Sequence, residues 1–181
     1  VDAIGVDASR YSLARTDYNT SVDIDLDLLA SHSNDNPVYY VQYAHARSCN
    51  VARNAADAGI SADGADLSLL NTEADGEVLA ALAQWPAALA QAGDLRAPHR
   101  VAHYLEDLAA SYHKWYNLER VVPMELSDPE NRLPEAEREA QRIAKCPEPA
   151  RAAARLKLNE AVRTVIASGL DLLGVSAPDK M

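Results

Sequence analysis

The sequence has no long hydrophobic run, since nowhere do about 18 or more apolar residues follow one another. A transmembrane helix is therefore not expected, and a membrane is not expected as a partner. The opening VDAIGVDASR has neither the basic start nor the apolar core of a signal peptide. The chain also begins without methionine, within an apparent helix, and we interpret it as part of a longer polypeptide.

Cysteine is scarce, and the common nucleotide-binding motifs are missing. Cys49 and Cys146 lie far apart, without a CxxC or another metal-binding spacing, and we expect both to be reduced thiols of a cytoplasmic protein. The motifs GxxxxGKS/T, GxGxxG and GxSxG do not occur, which excludes a P-loop, a dinucleotide fingerprint and a nucleophile elbow. No cofactor site and no catalytic residue is therefore predicted in this chain.

Two clusters have a metal-like spacing but are incomplete. His99 and His103 stand four residues apart and could share a zinc ion on one helix face, yet the glutamate of an HExxH motif is missing. Asp23, Asp25 and Asp27 resemble the start of a calcium loop, but the required glycine and late glutamate do not follow. The sequence therefore predicts no metal site.

Glycine is sparse, with 7 residues among 181, whereas alanine and leucine are abundant, and this composition favours helices. The expected fold is an all-α helical bundle without a parallel sheet. Apolar residues spaced by three and four predict helices over about 7–15, 37–58, 75 onwards with a break at Pro86, 98–122, 134–145 and 149–173.

Local signals mark the ends of the helix over 37–58. Pro37 suits the first helical turn, and Asn34, Asp35 or Asn36 can cap the free backbone N–H groups there. Gly59 suits the position just past the last turn. The preceding stretch DIDLDL alternates like a strand, but the polar cluster before it and LLAS after it favour a loop that enters a short helix.

The net charge of −10 argues at first against nucleic acid, because phosphate binding requires lysine and arginine. The charge is unevenly distributed, however. Residues 36–53, 96–120 and 150–181 carry net charges of +2, +1 and +2, whereas the segments around them are acidic. If the three segments converge they can form a phosphate-binding face, although chance clustering in an acidic protein explains the same pattern equally well.

The segment NPVYYVQYAHAR, residues 36–47, is the strongest candidate for a binding surface. Tyr40, Tyr43 and Arg47 fall at i, i+3 and i+7 and so share a helix face, where two phenol rings beside a guanidinium can receive unstacked bases and phosphate. Tyrosines at helical spacing are more often core residues with their hydroxyl groups at the rim, and on the chemistry alone that interpretation is favoured. A second aromatic and basic cluster, at 112–116, has the same ambiguity.

The same segment carries a family resemblance. NPVYYVQYAHAR resembles the signature helix of the arginyl-tRNA synthetase anticodon-binding domain. The opening VDASRYSLAR resembles the segment that names the Asp-Ala-Leu-Arg domain, with Asp7, Ala8 and Arg10 kept and Ser9 in place of leucine. SVDIDLDLL matches bacterial members, and GLDLLGVSAPDKM resembles the family's closing Leu-Leu-Gly followed by Pro-acid-x-Met. The likeness covers nearly the whole chain except about 123–147.

The resemblance implies an all-helical anticodon-binding domain of a class I synthetase over residues 1–181, with 123–147 as an insertion. The parent enzyme would be an arginine–tRNA ligase that joins arginine to tRNA(Arg) using ATP and Mg²⁺. Its catalytic domain, with HIGH- and KMSK-type signatures, and its N-terminal tRNA-elbow domain are absent from this chain, which alone is expected to be inactive. The expected partners are the anticodon loop of tRNA(Arg) and the catalytic domain of the same polypeptide.

The resemblance also implies site residues. His45 and Arg47 could either contact RNA or hold helices together. A free-standing helical interaction or RNA-binding paralogue without synthetase activity is the alternative, while the YAHAR helix and the C-terminal methionine argue against a related cysteine or glycine synthetase. The residues expected to bind tRNA are Tyr40, Tyr43, Arg47, Tyr116 and Met181.

Overall fold

Seven α-helices and one short 3-10 helix make up the regular structure of the described part of the chain. A computed structural model describes residues 3–122 and 148–181, and within them no strand is present, which confirms the all-helical prediction. The helix expected over 134–145 and the insertion expected over 123–147 lie outside the described residues. The helices are α1 (Gly5–Ala14), α2 (Leu26–Ala30), α3 (Pro37–Asp57), α4 (Glu73–Ala83), α5 (Trp85–Asp94), α6 (His99–Leu118) and α7 (Pro149–Leu172), with the 3-10 helix at Leu67–Leu69.

The start of α3 is set by Asn36, which resolves the choice among three candidate caps. Its side-chain oxygen accepts a hydrogen bond from the Tyr39 backbone N–H, and its amide nitrogen donates to the carbonyls of Leu29 and Ser31. Asn36 is therefore buried and fastens the chain before α3 onto the helix end. At the other end, Gly59 adopts a positive φ of 71°, as expected for the residue that follows the last turn.

The DIDLDL stretch is a loop that enters a short helix, as predicted. Asp25 caps α2 by accepting a 2.9 Å hydrogen bond from the Leu28 backbone N–H. Residues 21–27 are exposed, so their alternation does not separate a buried face from a solvated one. Aspartate in this position competes for the local backbone donors, which favours a cap over an extended strand.

Helix α6 lies at the centre of the bundle and packs against α3, α4, α5 and α7. Leu105 and Leu108 on its apolar face are fully buried. Gly169 of α7 allows α7 to approach α6 closely, because a Cβ atom built there would lie 2.6 Å from the Leu105 Cδ2 atom.

In the described residues, no helix is long and apolar enough to cross a membrane.

A buried polar chain joins three of these helices. The Tyr112 hydroxyl on α6 donates to the Asn159 side-chain oxygen on α7 over 2.7 Å, and the Asn159 amide donates to the Ser48 carbonyl on α3 over 3.0 Å. All three residues are fully buried. Buried polar groups are costly without partners, so this chain specifies how α3, α6 and α7 are aligned.

The C-terminal tail, residues 174–181, runs back across α3. The Gln42 amide donates to the Ser176 carbonyl over 2.9 Å, and the Asp7 carboxylate of α1 accepts from the Ser176 hydroxyl. Burial alone would raise the pKa of Asp7, but hydrogen bonds from Ser176 and Gln42 and the nearby charge of Arg10 outweigh it and lower the pKa. These contacts hold the tail in a defined course and determine where the chain reaches Met181.

Candidate nucleic-acid interface

A surface pocket of about 560 Å³ opens between α3, α6 and the C-terminal tail, and it is called the α3–α6 pocket below. Arg47, Arg53 and Lys180 supply positive charge to it, and among the described residues no aspartate or glutamate side chain lines it. Its walls come from all three non-acidic segments, which therefore converge in the fold. The lining residues are Tyr43, Ala46, Arg47, Asn50, Arg53, Tyr116, Lys180 and Met181.

Four of the five predicted site residues meet in this pocket, and Tyr40 does not line it. The Tyr40 ring is half-buried and packs against the His113 ring, with 4.7 Å between the ring centroids. Burial raises the pKa of the Tyr40 phenol, and the positive charge of Arg47 opposes that shift. Tyr40 thus lies in the layer beneath the pocket, whereas Tyr43 and Tyr116 form its walls.

The guanidinium of Arg47 fills the space between the two wall tyrosines. Its Cζ atom lies 4.6 Å from the centroid of the Tyr43 ring and 4.4 Å from that of the Tyr116 ring, within the range of cation–π attraction. One Arg47 nitrogen donates to the Tyr43 hydroxyl over 2.9 Å. Arg47 therefore joins α3 to α6. The rings of Tyr43 and Tyr116, which the sequence suggested as stacking surfaces for bases, are each in contact with this side chain.

Arg47 also contacts His113, which the sequence offered only as a member of the aromatic and basic cluster at 112–116 and not as a site residue. A second guanidinium nitrogen lies 2.9 Å from His113 Nδ1, and His113 Nε2 lies 3.4 Å from the Tyr40 carbonyl oxygen. Burial and the neighbouring Arg47 charge lower the pKa of His113 to about 4, against a weaker opposing effect of the Tyr40 carbonyl. The imidazole is consequently neutral near pH 7, with Nδ1 accepting from Arg47 and Nε2–H donating to Tyr40.

The ambiguity of the cluster at 112–116 is resolved by burial. Tyr112 and Trp115 are core residues with 0% and 1% exposure, and the Trp115 indole N–H donates to the buried Asp75 carboxylate. Tyr116 faces the pocket. His113 and Tyr116 are three positions apart on α6, so helical spacing was the available signal that pointed to His113.

Two further residues of α3 extend the face that carries Tyr43. The Tyr39 ring stacks on the Tyr43 ring with centroids 5.9 Å apart and an interplanar angle of 9°. Asn50, three positions after Arg47, is exposed and lines the pocket. Both residues share the helical register of Tyr43 and Arg47, a signal that the sequence contained and the prediction did not use.

His45 lies behind the pocket and holds the tail. It is buried, and its Nδ1 atom lies 3.0 Å from the Pro178 carbonyl oxygen. The buried thiol of Cys49 donates to the Asp179 carboxylate over 3.3 Å, while the Arg53 guanidinium donates to the Asp179 carbonyl. Of the two roles left open for His45, the structure therefore shows a contact that holds chain segments together.

His45, Cys49 and Asp179 each bring one possible metal-ligand atom to within 4.8 Å of the others. The Cys49 sulfur lies 3.8 and 3.9 Å from the two His45 ring nitrogens, and His45 Nδ1 already contacts the Pro178 carbonyl oxygen. Burial and the adjacent Asp179 carboxylate raise the pKa of the Cys49 thiol, which favours a hydrogen-bond donor over a thiolate ligand. These three side chains come together because His45 and Cys49 hold the C-terminal tail against α3, and no metal ion is needed to explain their proximity.

Comparisons with known proteins give a family and a position within longer proteins. A family model described as the DALR anticodon binding domain matches residues 41–181. The chain is 82% identical over 180 residues to an arginine–tRNA ligase of Bifidobacterium adolescentis, an alignment that covers 99% of this chain and 30% of that protein. It is 81% identical over 181 residues to an arginine–tRNA ligase of Bifidobacterium animalis subsp. lactis, covering 100% of this chain and 30% of the relative. The chain thus spans less than a third of the length of these relatives.

The fold is also similar to part of a solved structure. The arginyl-tRNA synthetase of Thermus thermophilus superimposes with a TM-score of 0.71 at 32% sequence identity. The match covers 97% of this chain and 26% of that one. Nothing in these comparisons supports the alternative of a free-standing paralogue.

Proposed function

The chain belongs to the family of DALR anticodon-binding domains, and from this premise we propose that it binds the anticodon loop of tRNA(Arg) in the α3–α6 pocket. It matches the C-terminal part of arginine–tRNA ligases. In this proposal the chain is the tRNA-holding module of a cytoplasmic ligase of that kind. ATP and Mg²⁺ serve the catalytic domain of the same polypeptide, and this chain neither binds them nor catalyses the reaction by itself.

The convergence of positive charge and aromatic rings in an acidic chain is the observation that carries the proposal. The net charge is −10, yet Arg47, Arg53 and Lys180 meet beside Tyr43 and Tyr116 with no acidic side chain among the described lining residues. Phosphates are attracted by the cations and release counterions when they bind. Unpaired bases of a loop can stack on aromatic and guanidinium planes, whereas the bases of a double helix are already stacked on one another and cannot.

The pocket supplies different chemistry at its different walls. Arg53 and Lys180 are donors only, so they suit phosphate and base acceptors. The Asn50 amide both donates and accepts, and it is therefore suited to a base edge. The side chains of Tyr43 and Tyr116, with Arg47 between them, form a π-rich wall of the pocket against which a splayed-out base can pack.

Two tyrosines, one that lines the pocket and one that lies outside it, test the proposal. Replacing Tyr116 by alanine removes one aromatic wall, and because stacking contributes about 1–3 kcal/mol per base, the affinity should fall about five- to a hundred-fold. Tyr18 is 88% exposed and does not line the pocket, so Tyr18→Ala is the matched control and should leave the affinity unchanged. The dissociation constant is measured by fluorescence anisotropy with a tRNA(Arg) anticodon stem-loop at fixed salt.

The fold of each variant is checked by circular dichroism and thermal unfolding. Equal affinities for Tyr116→Ala and Tyr18→Ala, with both folded, would remove the α3–α6 pocket from the interface. A stem-loop with a scrambled loop sequence provides the RNA control, since a specific pocket binds it more weakly at the same salt concentration.

A further inference from the structure

The position of the Arg47 side chain requires an explanation, because an arginine beside solvent has many accessible rotamers. Its hydrogen bond to the Tyr43 hydroxyl stays within α3 and joins two residues one turn apart. Its hydrogen bond to His113 Nδ1, at 2.9 Å, crosses to α6. The second bond therefore fixes the guanidinium in the gap between the Tyr43 and Tyr116 rings, which belong to different helices.

His113 is itself held in one orientation. It is 8% exposed, and its ring packs against Tyr40 at 4.7 Å, Tyr43 at 5.6 Å and Tyr112 at 6.1 Å between centroids. Its Nε2 atom is directed at the Tyr40 carbonyl oxygen, 3.4 Å away. The donor at Nε2 leaves a lone pair at Nδ1, the atom that faces Arg47, so both ends of the imidazole have a complementary partner.

We infer that His113 is a positioning residue of the RNA interface, which accepts a hydrogen bond from Arg47 and so holds the guanidinium between the rings of Tyr43 and Tyr116 before RNA arrives. This inference rests on the proposed function of the α3–α6 pocket. Two of the five guanidinium N–H groups are used in the contacts with His113 and Tyr43. The remaining donors and the spacing of the two rings are then preset, and the RNA does not have to order this side chain on binding.

Three substitutions separate the acceptor at Nδ1 from the rest of the ring. In His113→Asn the side-chain oxygen can take the place of Nδ1 and accept from Arg47. In His113→Gln the amide nitrogen can take the place of Nε2 and donate to the Tyr40 carbonyl, but the side-chain oxygen then does not occupy the position of Nδ1 that faces Arg47. His113→Leu keeps an apolar side chain of similar size and removes both polar contacts.

RNA affinity should fall in the variants that lack an acceptor at the position of His113 Nδ1 and should be kept in the variant that has one. His113→Leu and His113→Gln should weaken binding of the tRNA(Arg) anticodon stem-loop about three- to tenfold, the scale expected from loosening one long side chain. His113→Asn should recover most of that loss. If Asn and Gln weaken binding equally, the acceptor at Nδ1 does not matter and the inference is wrong. Should His113→Leu fail to fold, the Asn and Gln pair still decides the question.

A double-mutant cycle tests whether His113 acts through Arg47. In an Arg47→Ala background, His113→Gln should cause no further loss, because its partner has already been removed. An undiminished loss in that background would overturn the inference. If Arg47→Ala itself leaves the affinity of the otherwise unaltered chain unchanged, the assignment of Arg47 to the interface fails, which is a failure of the proposed function and not of the His113 contact.

A measurement without RNA tests the contact separately. The ¹⁵N chemical shifts of the His113 ring should report a neutral imidazole at pH 7 with its proton on Nε2, and the Nδ1 shift should move towards that of a free acceptor in Arg47→Ala. A proton on Nδ1 would abolish this hydrogen bond, because a guanidinium cannot accept one, and it would overturn the inference even if the chain bound no RNA at all.

Discussion

At the scale of the residue, Arg47 shows one of the two roles that the sequence left open, a contact between helices, and it has a place in the pocket where the other role would be exercised. Its guanidinium joins α3 to α6 through His113, and it also lines the α3–α6 pocket. Tyr40, three positions before Tyr43, is half-buried against His113 and supports the pocket from below. The expectation that tyrosines at helical spacing are core residues therefore describes Tyr40 better than it describes Tyr43.

His113 makes the stability of the chain depend on pH. Its pKa falls from the ordinary value of 6.5 to about 4 on folding, mainly through burial and then through the Arg47 charge. The folded state thus binds fewer protons than the unfolded state between these values. Stability is fully present above pH 6.5 and decreases as the pH falls towards 4. With about 1.4 kcal/mol per pKa unit, reduced for partial solvent screening, we expect a loss of about 1 kcal/mol between pH 7 and pH 5.

Urea unfolding at pH 7 and pH 5 measures this contribution when the chain is compared with His113→Asn, which cannot titrate. Other groups contribute similarly to both proteins, so the difference between them isolates His113. The original chain should lose about 1 kcal/mol more than the variant on acidification. Parallel losses in the two proteins would show that His113 is not held neutral by the fold.

At the scale of the element, the crossing of α6 and α7 depends on a glycine. A Cβ atom at Gly169 would lie 2.6 Å from the Leu105 Cδ2 atom, and Leu105 is fully buried and cannot move aside freely. Gly169→Ala should destabilise the chain by about 1 kcal/mol, because overpacking of about 1–3 kcal/mol exceeds the gain in helix propensity of about 1 kcal/mol. Gly76 of α4 has no atom within 4 Å of such a Cβ, so Gly76→Ala should be stabilising.

The free energies of unfolding of both glycine variants follow from urea denaturation. The sign of the difference is the decisive quantity, since both changes improve helix propensity and only one meets a neighbour. A stabilised Gly169→Ala would mean that α7 can shift away from α6 without loss of packing.

The C-terminal tail forms no helix, and side chains of α3 hold it in place. His45 contacts the tail at Pro178, and Cys49 and Arg53 contact it at Asp179. Deleting residues 177–181 should uncover the Cys49 thiol and take Lys180 and Met181 away from the pocket.

Thiol-specific labelling in a Cys146→Ser background checks this prediction. Labelling of Cys49 should be slow in the full chain, where the thiol is buried, and at least about tenfold faster after the deletion. The same deletion should weaken binding of the anticodon stem-loop. Unchanged labelling with a folded truncated chain would show that the tail does not cover α3 in solution.

At the scale of the whole molecule, the distribution of charge matters more than the total of −10. The acidic segment 54–95 supplies α4 and α5, whereas the pocket is built from the non-acidic segments. Lys114 of α6 belongs to the acidic side, because it pairs with Glu77 of α4 at 2.6 Å. A surface of this kind attracts phosphate locally while the rest of the molecule repels it.

Salt dependence of RNA binding should distinguish the two groups of cations. Arg53→Gln and Lys180→Gln should each reduce the slope of log K against log salt by about 1, because one phosphate contact is lost. Lys114→Gln, the matched control on the acidic side, should leave the slope unchanged. Equal slopes for all three variants would mean that phosphates do not bind at the α3–α6 pocket.

Helix positions were largely predictable because their determinants are local. The Asn36 cap, the Pro86 break between α4 and α5, and the positive φ at Gly59 depend on hydrogen bonds and dihedral preferences within a few residues. The motif NPVYYVQYAHAR likewise pointed to α3 and to the family. By itself the sequence therefore predicted the helices of the described residues to within a few positions, the family, and the helix that supplies most of the pocket lining.

Which side chains form the site was decided only by the tertiary structure. Tyr43, Tyr116 and Lys180 come together across more than 130 positions of sequence, and helical spacing has no information about the angle at which α6 meets α3. The contact between His113 and Arg47 was not predicted, because the two residues lie 66 positions apart. The physical reason is that caps and turns are satisfied within one segment, whereas burial and the alignment of donors with acceptors depend on how distant helices pack.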